Sequence, residues 1–585
     1  MPGLRWSWTE RVLFGALLVA GAAVIVAGFR EFYFSTDDAY IAFRYVRNLL
    51  DGHGLVWNPA PFHRVDGYTS FGWVMVLYTV SRLTGRMPPE VCHPLTLGLS
   101  LVTWVLFLVL ACRVVDAALG GHKDAKPKTM QRFGLVALAG LGLVTNRTFL
   151  TWTSSGLETA MFTCIVTGWA LALFGQRSRW APCLVAALAA LTRPEGLLVW
   201  TLTLGWLAWK LLLVGLEARR VRRRLVPIKG ALDVSCEPAK PDGDARNLRL
   251  ETLALAAAAL TALVPVLVHA LWHRLTYEAW LPNTYYAKVA RPVPSMGLRY
   301  VGSFLIEYTA WPGVLLLAGF GLRAAVRRRL SSEALVVIAF VAGLLGYYGL
   351  VVGGDHFEFK AFHCIVPLYW VGVAWALGVA WAPTMRRRVF TLVTAAVLVT
   401  TSWPIAWGHH FLTRALTSRR DTFKLRYAMA PYAPVFLRGY VGAYDAMQAS
   451  LIDAFYGMRH REHAAFFTWK LGEIPDAPPR PFDPANPDVA LVGEVGLLAY
   501  RYPSVAVIDV FGLNDRFIAR YRRTERRHQR IGHNAVPPPG YLQGFDANVV
   551  IENNIVTRRS HKVPLTPARI AAIEAAARRE VRAHP

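Results

Sequence analysis

Two adjacent carboxylates, Asp37 and Asp38, follow the first apolar stretch of the chain by a few residues, in the run STDDAYIAFRYVRNLLDGHGLVWNP. Acids at a membrane boundary are costly unless they face water or do chemistry. A carboxylate there can take a proton from a hydroxyl as that hydroxyl attacks an electrophile. Further polar groups punctuate later breaks between apolar runs: Glu158 in SSGLE, Arg193 and Glu195 in TRPEG, Asn283 and Lys288 in NTYYAK, and Asp355, His356 and Lys360 in GGDHFEFK. Plainer readings stand beside the chemical one. Asp37 or Asp38 could cap a helix N-terminus, and Glu158 could complement a helix dipole. Arg193 and Lys288 could anchor at a lipid interface, His356 could be a hydrogen-bonded interface residue, and Gly353-Gly354 is by itself a turn.

The elements that must position these groups are apolar segments. The chain has 585 residues, 54% of them hydrophobic, and 17% charged, against about 25% charged in a soluble protein. Twelve apolar stretches occur, near 11–30, 68–82, 95–115, 133–150, 157–175, 181–196, 197–216, 250–272, 298–322, 334–352, 362–383 and 389–408. Basic runs mark cytoplasmic loops, here Arg219–Arg249, Arg323–Arg329, Arg386–Arg388 and the lysine-bearing loop His122–Arg132. All of them fall on one side only if 68–82 does not cross. That segment carries Thr69, Ser70, Thr79 and Ser81 and reads as a re-entrant or interface helix. Eleven spans are predicted, with every candidate site residue on the non-cytoplasmic side.

Two regions lie outside the membrane: a first external loop over 31–66, and a C-terminal α/β domain over 410–585 that follows a transmembrane domain over 1–409. In the latter, Val489–Val492 and Val505–Val510 read as strands around a turn or short helix, Arg516–Arg530 is strongly basic, and Thr566–Arg582 has helical spacing. The net charge of +26 sits mostly in loop runs, with no zinc pattern or RNA-binding motif, so nucleic acid is not an expected partner. Six cysteines occur, none after Cys364, so the C-terminal domain holds no disulfide.

Acids and bases gathered at one level of a bilayer suit a glycosyl donor whose leaving group is a lipid-linked phosphate. A carboxylate deprotonates the acceptor hydroxyl, and Arg, Lys, His or a divalent cation (Mg, Ca or Mn) offsets the charge of the departing phosphate. A metal, if present, would sit on Asp37, Asp38 and Glu158. The rival reading is a lipid-linked sugar flippase. A transporter tends to place charged residues mid-span in two related halves, which this chain does not show.

The first-loop run with HRVDGYTS, together with SGLETA, TRPEG, LPNTYYAK and VIDVFGLND, resembles the membrane-embedded GT-C glycosyltransferases, most closely the AftB-like arabinofuranosyltransferase family of mycobacteria and its bacterial relatives. The resemblance covers nearly the whole chain. It implies a GT-C fold, a bacterial plasma-membrane location with a periplasmic C-terminal domain, and a polyprenyl-phosphate donor, decaprenyl-phospho-arabinofuranose in the arabinofuranosyltransferases. A glycan or protein acceptor is expected. Asp37 matches the first-loop acid held essential and is expected to act as base or to stabilise the developing sugar cation, while Asp38, its neighbour, and Glu158, the second acidic position, are expected to place the acceptor or a metal. Arg193, Lys288 and Lys360 match places where a base could hold the donor phosphate, and His356 joins that group. Ala39-Tyr40 after the acids, and Val65-Asp66-Gly67-Tyr68 further on, depart from the mycobacterial pattern.

Overall fold

Among the described residues, six helices are long and apolar enough to cross a bilayer: Trp8–Glu31, Pro88–Leu119, Gly196–Arg220, Arg246–Tyr277, Ser332–Val352 and Met385–Thr413. Four shorter apolar helices, Thr129–Val144, Thr159–Phe174, Trp180–Thr192 and Ile365–Ala380, pack among them. The computed structural model describes residues 7–120, 129–175, 179–225, 241–288, 293–381, 384–477, 480–521, 523–524, 535–560 and 563–583. Lys123, Lys126, Lys128, Cys236 and parts of the basic stretches 219–249 and 516–530 lie outside the described residues.

One expected span differs from a plain crossing. The stretch 298–322 is a pair of helices, Pro294–Glu307 and Trp311–Val326, bent by 95°. Thr309 sits at φ 43° in the break, and Pro312 falls in the first turn of the second helix, where its missing N–H could not have continued the first. The first helix of the pair buries one face, Gly297, Tyr300, Phe304 and Glu307, at helical spacing. The stretch 68–82 forms the fourteen-residue helix Phe71–Thr84, stopped by Gly85 at φ 70°.

The first loop and the C-terminal region share one core. Phe34, Tyr45 and Trp57 pack in a cluster with Leu497, Tyr502, Val505 and Val507. Helix Asp37–Leu50 sends fully buried Arg44 to the carbonyls of Trp57, Ala499, Tyr502 and Val505, the shortest at 2.7 Å. Those four acceptors satisfy a guanidinium that would otherwise be very costly to bury. Strands Asp488–Val492 and Val505–Asp509 are parallel, joined through helix Gly496–Arg501. Asn58 of the first loop pairs with Val507 as a further strand would, donating to its carbonyl and accepting from its N–H, both at 3.0 Å. A hairpin, Val549–Glu552 with Ile555–Arg558, turns at Asn553-Asn554, both at positive φ, and helix Pro567–Ala583 closes the region. The expected boundary at 409 falls inside helix Pro404–Thr413.

A buried charge cluster ties these parts together. Arg147 and Arg459 share Glu307 (3.0 and 3.1 Å) and both also bind Glu358. Tyr444 adds a hydrogen bond of 2.6 Å to Glu307. Two cations against two anions, all fully buried, make each partner expensive to remove alone.

Candidate active site

A cavity of about 1700 Å³ opens between the helix ends and the C-terminal region, and Asp37, Asp38, Glu158, Arg193, Lys288, His356 and Lys360 all line it. This exceeds the roughly 300–1,000 Å³ of a small-molecule pocket. One wall is apolar, with Leu197, Leu198, Val266, Ala270, Leu344 and Val351 from three of the long helices. The rest carries eight carboxylates and four Lys or Arg side chains.

The two first-loop acids sit in different surroundings. Thr36, not Asp38, caps helix Asp37–Leu50, its hydroxyl accepting from the Ala39 N–H at 3.3 Å. Asp37 is 8% exposed, and its oxygens accept the N–H groups of Gly496 and Leu497, each at 2.9 Å. Lys470 lies 3.4 Å away. Asp37 therefore holds the first turn of helix Gly496–Arg501. The approach leaves no room for a side chain, since a Cβ on Gly496 would fall 1.9 Å from the Asp37 carbonyl oxygen. Asp38 is half-buried and makes no hydrogen bond or ion pair among the described residues.

Glu158 occupies the position before helix Thr159–Phe174, yet its side chain does not cap it. It accepts instead from Arg193 at 2.5 Å. Glu195 takes the other face of the same guanidinium through Nε at 3.0 Å and Nη2 at 2.7 Å, and Tyr348 donates to Glu195. Arg193, expected on sequence grounds to hold a donor phosphate, is thus already enclosed by two carboxylates. Tyr348 reaches this cluster from a π-helical turn, Tyr347–Val352, that ends helix Ser332–Gly346. Gly354 follows at φ 112°, with the Tyr300 ring 3.0 Å from where a Cβ would stand, so only glycine fits.

Lys360 lies 4.5 Å over the Phe357 ring, and Lys288 is exposed at the end of helix Asn283–Lys288. Neither meets a carboxylate among the described residues. His356 donates through Nδ1 to the Phe455 carbonyl at 2.8 Å. Asn283 is not in the cavity wall. Its amide donates to the carbonyls of Gly512 and Leu513 at 2.9 Å and of Asp515 at 3.3 Å, latching NTYYAK onto VIDVFGLND.

Sequence reasoning did not single out Asp66, His269, His273, Arg419, Glu462, His463 or Glu494, which also line the cavity. Asp66 bonds His273 Nε2 at 2.6 Å and accepts the Asn283 N–H at 3.2 Å, while His273 Nδ1 faces the Ala279 carbonyl at 2.8 Å. Burial holds the Asp66 carboxyl above its ordinary range against the pull of His273. With an acceptor at each ring nitrogen, His273 is a positioning group and not a free base. The signal that could have found it is the four-residue spacing of His269 and His273 on one helix face. The three acids named as a metal set do not form one. Asp37 and Glu158 are spoken for by other donors, and among the described residues no group of three or more His, Cys, Asp or Glu could hold a metal. No step is drawn through a metal.

The sequence matches no protein-family model. It is similar to the terminal β-(1→2)-arabinofuranosyltransferase of Mycobacterium tuberculosis, 28% identical over 316 residues, which is 52% of this chain and 43% of that protein. The matched stretch therefore spans less than half the length of this relative. Among solved structures, the oligosaccharyltransferase of Archaeoglobus fulgidus aligns in its apo form with a TM-score of 0.43 at 10% identity, over 85% of this chain and 64% of that one. The same protein tethered to an acceptor peptide aligns with a TM-score of 0.41 at 11% identity, over 86% and 64%. The likeness to the membrane-embedded GT-C arabinofuranosyltransferases carried by the motifs is matched by a curated relative that bears that name.

Proposed function

We propose that the protein is a membrane glycosyltransferase that moves arabinofuranose from a polyprenyl-phosphate donor to a cell-envelope glycan. The observation that carries this reading is one cavity holding an unengaged carboxylate, Asp38, two cations with no carboxylate partner, Lys288 and Lys360, and an apolar wall made by spanning helices. The acceptor hydroxyl attacks the anomeric carbon and its proton passes to Asp38. The bond from that carbon to the phosphate oxygen breaks, and the polyprenyl phosphate leaves with the electron pair. Its added charge faces Lys288, Lys360 and His356. Asp37 and the Glu158–Arg193–Glu195 cluster position the walls and the acceptor. The prenyl tail lies along Leu197, Val266 and Leu344.

In this reading the four shorter apolar helices and the bent pair also cross, giving eleven spans in a bacterial plasma membrane, with the C-terminal region on the periplasmic side. The test incubates purified protein with radiolabelled polyprenyl-phospho-arabinofuranose and an arabinofuranosyl oligosaccharide. Label appearing in the oligosaccharide supports the proposal. Label crossing a bilayer while still on lipid would replace it with translocation.

A further inference from the structure

Residues 419–466 contribute a section of the cavity wall that the reaction above does not use. Its rings include Phe423, Phe455, Tyr456 and Phe466, and its charged and imidazole groups are Arg419, Glu462 and His463. Arg419 is stacked between two of the rings, 4.5 Å from the centre of Phe423 and 4.9 Å from that of Phe466. Glu462 is only 4% exposed, and both its donors use one oxygen: the Lys424 N–H at 3.1 Å and Arg419 at 3.5 Å reach Oε1. Its Oε2 is buried without a partner, and so is Nε2 of the adjacent His463. Buried polar atoms are normally satisfied, and these two orphans belong to consecutive residues of a helix that lines the cavity, where a ligand's polar groups would complete them.

The chemistry of the wall selects the ligand. Glu462 and Glu494 both add carboxyl groups to the cavity wall, which disfavour phosphate, and Arg419 is already held by Glu462 and the two rings. Flat rings suit the C–H face of a sugar, and a carboxylate oxygen with an imidazole nitrogen suits its hydroxyls. The section also reaches the surroundings of the reacting groups. Lys470, which pairs with Asp37, the residue before Asp38, lies 5.4 Å over Phe466, and the ring of His463 stands 5.2 Å from that of His356. Burial pushes the Glu462 carboxyl up to about 7, so near neutrality it can either donate to a hydroxyl or accept from one.

We infer that Phe423, Phe466, Glu462 and His463 form the acceptor subsite, holding a neutral furanose residue of the glycan chain next to Asp38. This rests on the transferase reading and assigns the acceptor's place within it. Two measurements on the full-length protein in detergent separate the failures. The first is saturation-transfer NMR with a linear arabinofuranosyl pentasaccharide, which needs no turnover. The second is steady-state transfer with donor and pentasaccharide varied independently. Glu462→Gln is expected to raise the acceptor KM about ten- to a hundredfold, as loss of a hydrogen bond to a charged group implies, with donor KM unchanged and the NMR signal diminished. His463→Leu, on the same wall, is expected to act in the same direction and covers the case in which Glu462→Gln fails to fold. Unchanged acceptor KM in either folded variant, or a rise in donor KM instead, would overturn the subsite. Wild-type protein that binds the pentasaccharide but never transfers to it would overturn the transferase reading and leave the subsite standing.

Discussion

A shift of one residue along the helix that opens at Asp37 changes what a carboxylate can do. Asp37 accepts two backbone N–H groups and faces Lys470, whereas Asp38 meets no donor among the described residues. The first arrangement docks the first loop onto helix Gly496–Arg501. Asp37→Ala strands a Lys470 ammonium that is itself buried, and it is expected to cost about 3 kcal/mol, as removal of one partner from a buried ion pair does. Thermal unfolding reads that loss, and a midpoint equal to wild type would refute the docking role. In the proposed reaction Lys360 faces the donor phosphate. Lys360→Gln should raise the donor KM roughly tenfold, the scale of one charge-assisted contact to phosphate, while leaving the acceptor KM in place. At this scale the sequence was legible in kind but not in role. It placed seven residues that all line one cavity, because breaks between apolar runs must collect at helix ends. It could not tell that Arg193 would be enclosed by Glu158 and Glu195, or that Asn283 would turn away, since side-chain direction depends on neighbours distant in the chain.

Helix Gly496–Arg501 and the loop after strand Val505–Asp509 are where the two halves of the protein meet. The loop's acids are buried: Asp509 accepts from the Phe511 and Asn514 N–H groups at 2.9 Å, and Asp515 from the Ile518 N–H at 2.8 Å and Tyr541 at 3.0 Å. Burial pushes Asp515 up to about 7 and Asp509 to about 6, from an ordinary 3.8. A carboxyl raised in the folded state binds its proton more tightly there than in the unfolded chain. Its stabilisation is therefore complete below about pH 3.8 and is lost as pH rises through about 7. Asp515→Asn cannot ionise. The midpoint of wild type should fall relative to this variant between about pH 4 and 7, as followed by differential scanning fluorimetry; a pH-independent difference would contradict the assignment. The β-α-β unit was readable from its valine runs. The 95° break in 298–322 was not, because average hydropathy is blind to one backbone turn at Thr309 and Pro312.

The whole molecule is less divisible than its composition suggests. Apolar and mixed segments separate cleanly in sequence, which made the membrane character plain. Yet Tyr45 and Trp57 of the first loop share a core with Val505 and Val507, and Arg44 spans the joint. A fragment of residues 410–583 is therefore expected not to fold alone. Its amide NMR spectrum should be collapsed, and a dispersed one would show an independent domain. The shared core also brings motifs scattered from the first loop to VIDVFGLND to one cavity between the halves. The most direct test of that cavity's use is the transfer rate of Asp38→Asn, measured with labelled polyprenyl-phospho-arabinofuranose and an arabinofuranosyl acceptor, on protein whose unfolding midpoint matches wild type. Loss of the general base should lower the rate about 10²- to 10⁴-fold at unchanged donor KM. A variant that transfers at the wild-type rate would contradict the account.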